Sequence, residues 1–167
     1  MQMENMKERL DKVKLLILDV DGTMTDGGIY ITDQGSQFKK YNAKDGYGIM
    51  RVQKLGRAEV GIISHSKSVP MVKQRAEMVG IRHVYVGSEP KAAILDQWCR
   101  LNNWAREEVA FIGDDLNDLD IMKEVGITAC PADAVRAIHD FVDIRLTKNG
   151  GEGCVREFID EYLLSEY

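Results

Sequence analysis

The sequence lacks the features that mark secreted, membrane-spanning or disulfide-bonded proteins. It has three cysteines, an odd number at scattered positions, so neither a disulfide framework nor a Cys-x-x-Cys metal pair is predicted. No apolar run approaches the ~18 residues that a membrane-spanning helix needs. The polar segment 1–13 has no apolar signal region. These absences predict a cytoplasmic protein with no membrane partner. Cys99 and Cys130 lie in apolar runs, so we expect them to be buried and reduced.

Clustered positive charge is also missing. The net charge is -5, and the chain has no run of Lys or Arg and no basic residues interleaved with aromatic ones. Binding to a phosphate backbone needs a clustered positive surface, so the sequence argues against a nucleic-acid partner. A small anionic substrate is compatible with this charge if local cations or a metal offset its own.

What the chain does contain is a regular alternation of short apolar runs and helical patterns. The apolar runs, each predicted to be a buried strand, are 14–18, 59–63, 83–86, 109–112 and 127–130. The segments with helical length and period are 47–55, 69–79, 91–102 and 115–125. Buried strands separated by helices predict βαβ units, and therefore a doubly wound α/β fold around a parallel sheet. The 167 residues fit a single domain, 1–167.

Two segments depart from this alternation. Residues 28–41 are predicted to form a β-hairpin, with strands 28–32 and 36–41 and a glycine in the turn that supplies a positive φ. The hairpin follows the first acidic motif directly, so we expect it to project near the carboxyl edge of the sheet. Residues 149–153, Asn-Gly-Gly-Glu-Gly, predict a flexible turn before a helix over 155–164.

Polar and charged residues cluster where the predicted strands end. They are Asp19 and Asp21 after the first strand, Ser64 after the second, Lys91 ahead of the third helix, and Gly113-Asp114-Asp115-Leu116-Asn117-Asp118 after the fourth strand. Asp115 alone would be explained as a helix cap. However, ligands of open α/β sheets bind beyond the carboxyl ends of the strands. Groups of this kind at several strand ends therefore predict one shared site.

Three of these carboxylates, on Asp19, Asp21 and Asp114, predict a hard cation held by oxygen ligands. Mg²⁺ prefers one or two carboxylates completed by water and substrate phosphate. No His or Cys lies among these positions, which argues against zinc. Lys91 adds a second positive group beside a nucleophilic carboxylate and a transferring phosphoryl group. The chain is therefore predicted to be a Mg²⁺-dependent phosphohydrolase with Asp19 as its nucleophile.

The order of these motifs resembles the haloacid dehalogenase superfamily of phosphatases. The motifs are DVDGT, a Ser at a strand end, a Lys and then GDDLND. More narrowly, the segments YNAKDGYGI, GIISHSKS and KNGGEGCVREF resemble the small phosphatases of 3-deoxy-manno-octulosonate 8-phosphate (KDO 8-phosphate). That group has no separate cap domain, and the resemblance covers residues 14–158.

The resemblance implies a role for each matching residue. Asp19 becomes an aspartyl-phosphate, and Asp21 protonates the leaving alkoxide and then activates water. The Asp19 and Asp114 carboxylates and the backbone carbonyl of Asp21 hold Mg²⁺. Ser64 donates a hydrogen bond to the phosphoryl group, whose charge Lys91 neutralises. The residues implied to support the metal ligands and to position Lys91 are Asp115, Asn117 and Asp118.

The resemblance also implies a homotetramer. The hairpin contacts neighbouring subunits, a neighbour covers each active site, and the Gly-rich tail can fold over it. This would exclude water from a site that has no cap domain.

Some positions depart from the related phosphatases and bear on the substrate. Relatives commonly carry Thr-Gly-Arg where this chain has Ser64-His65-Ser66, and Arg where it has Lys44; Arg and Lys are not interchangeable at a bidentate contact. The DGYG and GGEG segments favour KDO 8-phosphate, whereas the departures favour a nine-carbon nonulosonate 9-phosphate, of KDN or N-acylneuraminate. The candidate substrate contacts are Lys44, His65, Arg75 and Asn117.

Two further alternatives come from different functional classes. A bacterial receiver domain also combines a doubly wound sheet, Mg²⁺, a phosphorylated Asp, a Ser or Thr and a Lys. Its accepting Asp follows the third strand, where this chain has Val86-Gly87-Ser88. The other alternative is a non-catalytic oligomerisation module of the same fold. Against it, every position of the catalytic core holds a competent residue.

Overall fold

Parallel strands form the central sheet of the computed structural model, which describes residues 2–165. In chain order these strands are β1 (Leu15–Leu18), then, after a hairpin of β2 (Tyr30–Ile31) and β3 (Gln37–Phe38), β4 (Glu59–Ser64), β5 (His83–Val86), β6 (Val109–Ile112), β7 (Ile127–Cys130) and β8 (Ile144–Arg145). Side by side, the order in the sheet is β5-β4-β1-β6-β7-β8. The chain moves from β1 to β4 on one side and later to β6 on the other. The switch point of the sheet therefore lies at the carboxyl end of β1.

Helices cover both faces of this sheet. They are α1 (Gln2–Asp11), α2 (Ala43–Lys54), α3 (Val69–Met78), α4 (Lys91–Asn102), α5 (Leu119–Met122), α6 (Arg136–His139) and α7 (Cys154–Phe158), the last continued by a wider turn, Ile159–Leu163. Strand side chains alternate between the faces. Leu16 and Leu18 of β1 pack in one core layer with α1, α2, α3 and α7, whereas Leu15 and Ile17 pack in the other with α4, α5 and α6. This alternation explains why all four residues of β1 are apolar and buried.

The doubly wound α/β fold and the hairpin are confirmed, and no separate cap domain stands over the strand ends within residues 2–165. The hairpin is shorter than expected, because only Tyr30 with Phe38 and Ile31 with Gln37 pair across it. Its turn needs the glycine at position 35, where φ is +79°. The cysteines at positions 99, 130 and 154 are free and buried, which confirms the prediction for Cys99 and Cys130.

Some elements differ from the prediction. Helix α2 begins at Ala43, four residues early, because the Asn42 side chain accepts hydrogen bonds from the amides of Lys44 and Asp45 (2.8 and 3.2 Å). Residues 115–125 form a turn, Leu116–Asp118, followed by the short α5, because Asp115 and Asp118 accept hydrogen bonds from the backbone of that loop. Strand β8 and helices α1 and α6 were not predicted. Across residues 2–165, every helix is too short or too polar to cross a bilayer.

Candidate active site

A buried ammonium group lies at the centre of the strand ends. The Nζ atom of Lys91 donates to Asp19 Oδ1 and to Asp118 Oδ1, each at 2.6 Å. The Lys91 side chain has 0% exposure, and both carboxylates are buried. A buried charge of this kind is stable only when it is paired and hydrogen-bonded, and here one cation serves two anions.

Burial and the neighbouring charges together set the pKa values of these groups. Burial raises the pKa of Asp19 and the charge of Asp118 raises it further, and these effects outweigh Lys91, which lowers it. For Lys91, burial alone would lower the pKa, but the two carboxylates more than compensate, so its pKa is raised and the ammonium form is held.

Three elements bring these side chains together. Asp19 follows β1, and its amide donates to the carbonyl of Ile112 at the end of β6 (3.0 Å). Lys91 is the first residue of α4. Asp118 lies in the loop after β6, where its second oxygen accepts hydrogen bonds from the amides of Asp114 and Asp115 (2.9 and 3.4 Å). One carboxylate thus fixes the acidic loop and holds Lys91.

The acidic cluster fits a hard divalent cation. Carboxylate oxygens of Asp19, Asp114 and Asp118 lie within 4.8 Å of one another, with no histidine or cysteine in the cluster. Burial raises the pKa of Asp114, and the charges of Asp19 and Asp118 raise it further, which shows a surplus of negative charge. Both oxygens of Asp118 already accept hydrogen bonds, one from Lys91 and the other from the amides of Asp114 and Asp115, whereas Lys91 contacts only Oδ1 of Asp19. Asp19 and Asp114 are therefore the carboxylates that can receive a cation. A set of oxygen donors is what Mg²⁺ prefers.

The loop that follows Asp19 is held by close backbone packing. Gly22 has a φ of +90°, and a Cβ there would lie 2.0 Å from Asp114 Oδ2. On the other side, a Cβ on Gly150 would lie 1.9 Å from the carbonyl oxygen of Gly22, and the amide of Gly151 donates to the carbonyl of Thr23 (3.0 Å). The Gly-rich tail therefore packs against the loop that follows Asp19, within its own chain. Sequence reasoning assigned this tail to closure over the site and missed this contact, although three glycines in five residues signal close backbone approach.

Asp21 lies outside the acidic cluster. Its Oδ1 atom accepts a hydrogen bond from the Nζ atom of Lys39, which directly follows β3 of the hairpin. Lys39 was not identified from the sequence, because it is 18 residues away and reaches Asp21 only through the fold of the hairpin.

Ser64 ends β4, next to β1, and is buried; the amide of Ser66 donates to its hydroxyl oxygen (3.0 Å). It therefore lies one strand away from Asp19 at the same edge of the sheet.

A cavity of about 370 Å³ opens beside Asp21, a size suited to a small-molecule ligand. The hairpin forms one wall, and the loop after β4 forms the other. The residues that line it are Asp21, Gly27, Gly28, Ile29, Tyr30, Gln37, Phe38, Lys39, His65, Ser66, Lys67 and Ser68. It joins a carboxylate, lysines and aromatic rings, a combination suited to a polar anionic ligand with an apolar face.

The residues predicted to contact the substrate do not all lie at this cavity. His65 lines the cavity, and one ring nitrogen lies 2.8 Å from the carbonyl oxygen of Glu89. Arg75 donates to the carbonyl of Asn42 (3.0 Å), so it holds the start of α2. Lys44 is exposed on the first turn of that helix. Neither Lys44 nor Arg75 lines the cavity.

The remaining two predicted residues lie in the loop after β6. Asn117 is exposed, and Asp115 is an exposed cap whose Oδ1 accepts from the amide of Leu116 (2.7 Å). Asp118 is thus the residue of this loop that contacts Lys91 directly.

Comparison with known proteins relates this geometry to one family. Residues 78–159 match the family model of haloacid dehalogenase-like hydrolases. Over 158 residues the chain is 37% identical to the 3-deoxy-D-manno-octulosonate 8-phosphate phosphatase KdsC of Escherichia coli K12, which covers 95% of this chain and 83% of that protein.

Solved structures agree with the sequence similarity. The crystal structure of 3-deoxy-D-manno-octulosonate 8-phosphate phosphatase from Yersinia pestis matches with a TM-score of 0.92 and 35% identity, over 98% of this chain and 87% of that one. The corresponding enzyme from Moraxella catarrhalis, solved with a magnesium ion, a phosphate ion and KDO, matches with a TM-score of 0.91 and 30% identity, over 98% and 92% of the two chains.

The central role of Lys91 predicts a large loss of stability when its charge is removed. Lys91→Met leaves two buried carboxylates without a cation, and we expect the free energy of unfolding to fall by about 3–5 kcal/mol at neutral pH. Denaturant unfolding in the presence of a chelator measures this, since a bound cation would otherwise mask the effect. Lys123→Met, at an exposed position, is the matched control. Equal stability of the two variants would contradict the pairing described above.

Proposed function

We propose that this chain, which belongs to the haloacid dehalogenase-like hydrolase family, hydrolyses the phosphate monoester of 3-deoxy-D-manno-octulosonate 8-phosphate to KDO and phosphate. The observation that carries the proposal is the buried Asp19 carboxylate, held by Lys91 beside Asp114 at the switch point of a sheet shared with these phosphatases. A receiver domain is excluded by this family membership.

The first step of the reaction is transfer of the phosphoryl group to Asp19. A carboxylate oxygen of Asp19 bonds to phosphorus, the ester P–O bond breaks, and its electron pair goes to the sugar oxygen, which takes a proton from Asp21. Lys91 favours the ionised form of Asp19 and offsets the negative charge of the incoming phosphoryl group. In the second step water attacks phosphorus, Asp21 takes its proton, and the bonding pair returns to Asp19.

Asp19 and Asp114 would hold Mg²⁺, with the backbone carbonyl of Asp21 as a third ligand. When bound, the ion offsets negative charge on the phosphoryl oxygens and orients them toward Asp19. The surplus negative charge at Asp19 and Asp114 supports this assignment. Ser64 would donate its hydroxyl hydrogen to the same oxygens, and Asp115 and Asn117 would support the loop that carries Asp114.

The relatives favour the eight-carbon substrate over the nine-carbon one. The similar proteins described above act on KDO 8-phosphate, and one was solved with KDO. Two features still differ from the pattern of the related phosphatases, the Ser64-His65-Ser66 segment and Lys44. The candidate contacts to the sugar acid are His65, Lys44, Arg75 and Asn117.

Substrate preference tests this proposal directly. We expect kcat/KM with Mg²⁺ to be at least about tenfold higher for KDO 8-phosphate than for a nonulosonate 9-phosphate, a difference of about 1.4 kcal/mol in transition-state binding. Activity should be lost with a chelator and return with added Mg²⁺. A preference for the nine-carbon compound would contradict KDO 8-phosphate as the substrate and favour the nonulosonate 9-phosphate. No turnover of either compound would favour the non-catalytic module.

A homotetramer in the cytoplasm completes the proposal. The hairpin presents apolar side chains to solvent beside the cavity, with Ile29, Ile31 and Phe38 all more than half exposed, and such patches favour contact with another subunit. Free, buried cysteines fit a reducing compartment. The expectation of one domain over 1–167 stays part of this proposal.

Assembly through the hairpin can be measured by light scattering. We expect a tetramer for the unaltered protein and a smaller species for Ile31→Lys, because a charge on the hairpin would lie in the subunit interface. Leu101→Lys, at an apolar residue that is 75% exposed on α4, is the control and should leave the mass unchanged. A fully active monomer would contradict the shared active site.

A further inference from the structure

Two adjacent lysines at the end of the hairpin differ sharply in their surroundings. The side chain of Lys39 is 13% exposed, and its ammonium group pairs with Asp21. The side chain of Lys40 is 59% exposed, and its Nζ atom lies 3.9 Å from Oδ2 of Asp26. A lysine normally extends its charge into water. The burial of Lys39 beside a carboxylate that is itself 49% exposed shows that the hairpin directs this ammonium group inward.

The base of the hairpin fixes this direction. Thr25, at the end of the loop that follows Asp19, forms an antiparallel bridge with Tyr41, two residues beyond Lys39. Asp26 accepts hydrogen bonds from the amide of Gly28 (2.9 Å) and from the hydroxyl of Tyr30, whose ring stacks on Phe38 with centroids 5.0 Å apart. The residue before Lys39 is thus anchored to the segment that carries Asp21.

We propose that Lys39 is a positioning residue for Asp21, which it holds in the orientation needed to protonate the leaving sugar oxygen. This inference rests on the proposed function, because it takes Asp21 as the acid and base of that reaction. The hairpin supplies both Lys39 and one wall of the cavity. The same element would therefore position Asp21, through Lys39, and the sugar that leaves, through the cavity wall.

The chemistry of the pair explains how Lys39 acts. An ammonium group can only donate, so Oδ1 of Asp21 is an acceptor and Oδ2 is the oxygen that carries the transferable proton. The proton passes from Oδ2 to the sugar oxygen as the P–O bond breaks, and Lys39 keeps its own protons. Without Lys39, the half-exposed Asp21 side chain can rotate into water, and a proton donor that is misplaced by about 1 Å can lose about 100-fold in rate.

A comparison of leaving groups separates this role from others. The value of kcat/KM reports the steps up to formation of the aspartyl-phosphate, where Asp21 acts as an acid. We expect Lys39→Met to lower kcat/KM by about tenfold or more for alkyl esters, both KDO 8-phosphate and glucose 6-phosphate, which lacks a carboxylate. For p-nitrophenyl phosphate, whose nitrophenolate leaves without a proton, the change should stay within about threefold.

Matched variants complete the test. Lys40→Met should equal the unaltered protein on all three substrates, and Lys39→Arg should recover part of the loss, since it restores a cation and a donor. Circular dichroism and the thermal midpoint verify the fold of each variant.

The other outcomes each overturn the proposal. Equal losses on all three substrates would make Lys39 a ligand of the phosphoryl group or a structural residue. A loss confined to KDO 8-phosphate would make it a carboxylate contact, and no loss would leave it without a role. If the unaltered protein ignores KDO 8-phosphate but hydrolyses the other two esters, the proposed substrate fails while the leaving-group contrast still decides the role of Lys39.

Discussion

The active site depends on one buried cation, the ammonium group of Lys91, which is shared by Asp19 and Asp118. Either carboxylate alone at this depth would be costly, and together they would repel each other. Lys91 makes both tolerable and ties β1, α4 and the loop after β6 to one point. It also favours the ionised form of the desolvated Asp19 carboxylate, the form that the proposed nucleophile needs.

Around this point the catalytic loop is positioned by backbone packing. Gly22 lies against Asp114 on one side and against Gly150 on the other, at distances that no Cβ could occupy. The C-terminal segment therefore supports the loop between Asp19 and Thr25, and a substitution in that segment can displace Asp19, the proposed nucleophile. The hairpin contacts the same loop through the hydrogen bond from Lys39 to Asp21. Both contacts attach sequence-distant segments to the same short loop.

Much of this arrangement could be predicted from the sequence, because it follows from local rules. The all-apolar β1 identifies a strand buried on both faces, and parallel strands bring Asp19, Ser64 and Asp114 to one edge. The family resemblance supplied the proposed chemical roles.

What could not be predicted depends on tertiary contacts. Strand β8 has two residues, too few for a periodic signal. The pairing of Lys39 with Asp21 depends on the bridge between Thr25 and Tyr41, and nothing in the spacing distinguishes Lys39 from Lys40. Likewise, three acidic or amide residues follow Asp114 within a short loop, and only the fold selects Asp118 as the partner of Lys91.

The most direct test of the central claim is to trap the phosphoryl group on Asp19. In Asp21→Asn protein supplied with p-nitrophenyl phosphate and Mg²⁺, the first step needs no acid while the second lacks its base, so the intermediate accumulates. We predict a burst of nitrophenol equal to the enzyme concentration, and mass spectrometry of the acid-quenched protein should find one phosphoryl group on Asp19. The same experiment on Asp19→Asn should give neither. A burst from the Asp21→Asn protein with no phosphoryl group on Asp19, or phosphate release by the Asp19→Asn protein, would contradict the nucleophile on which this mechanism depends.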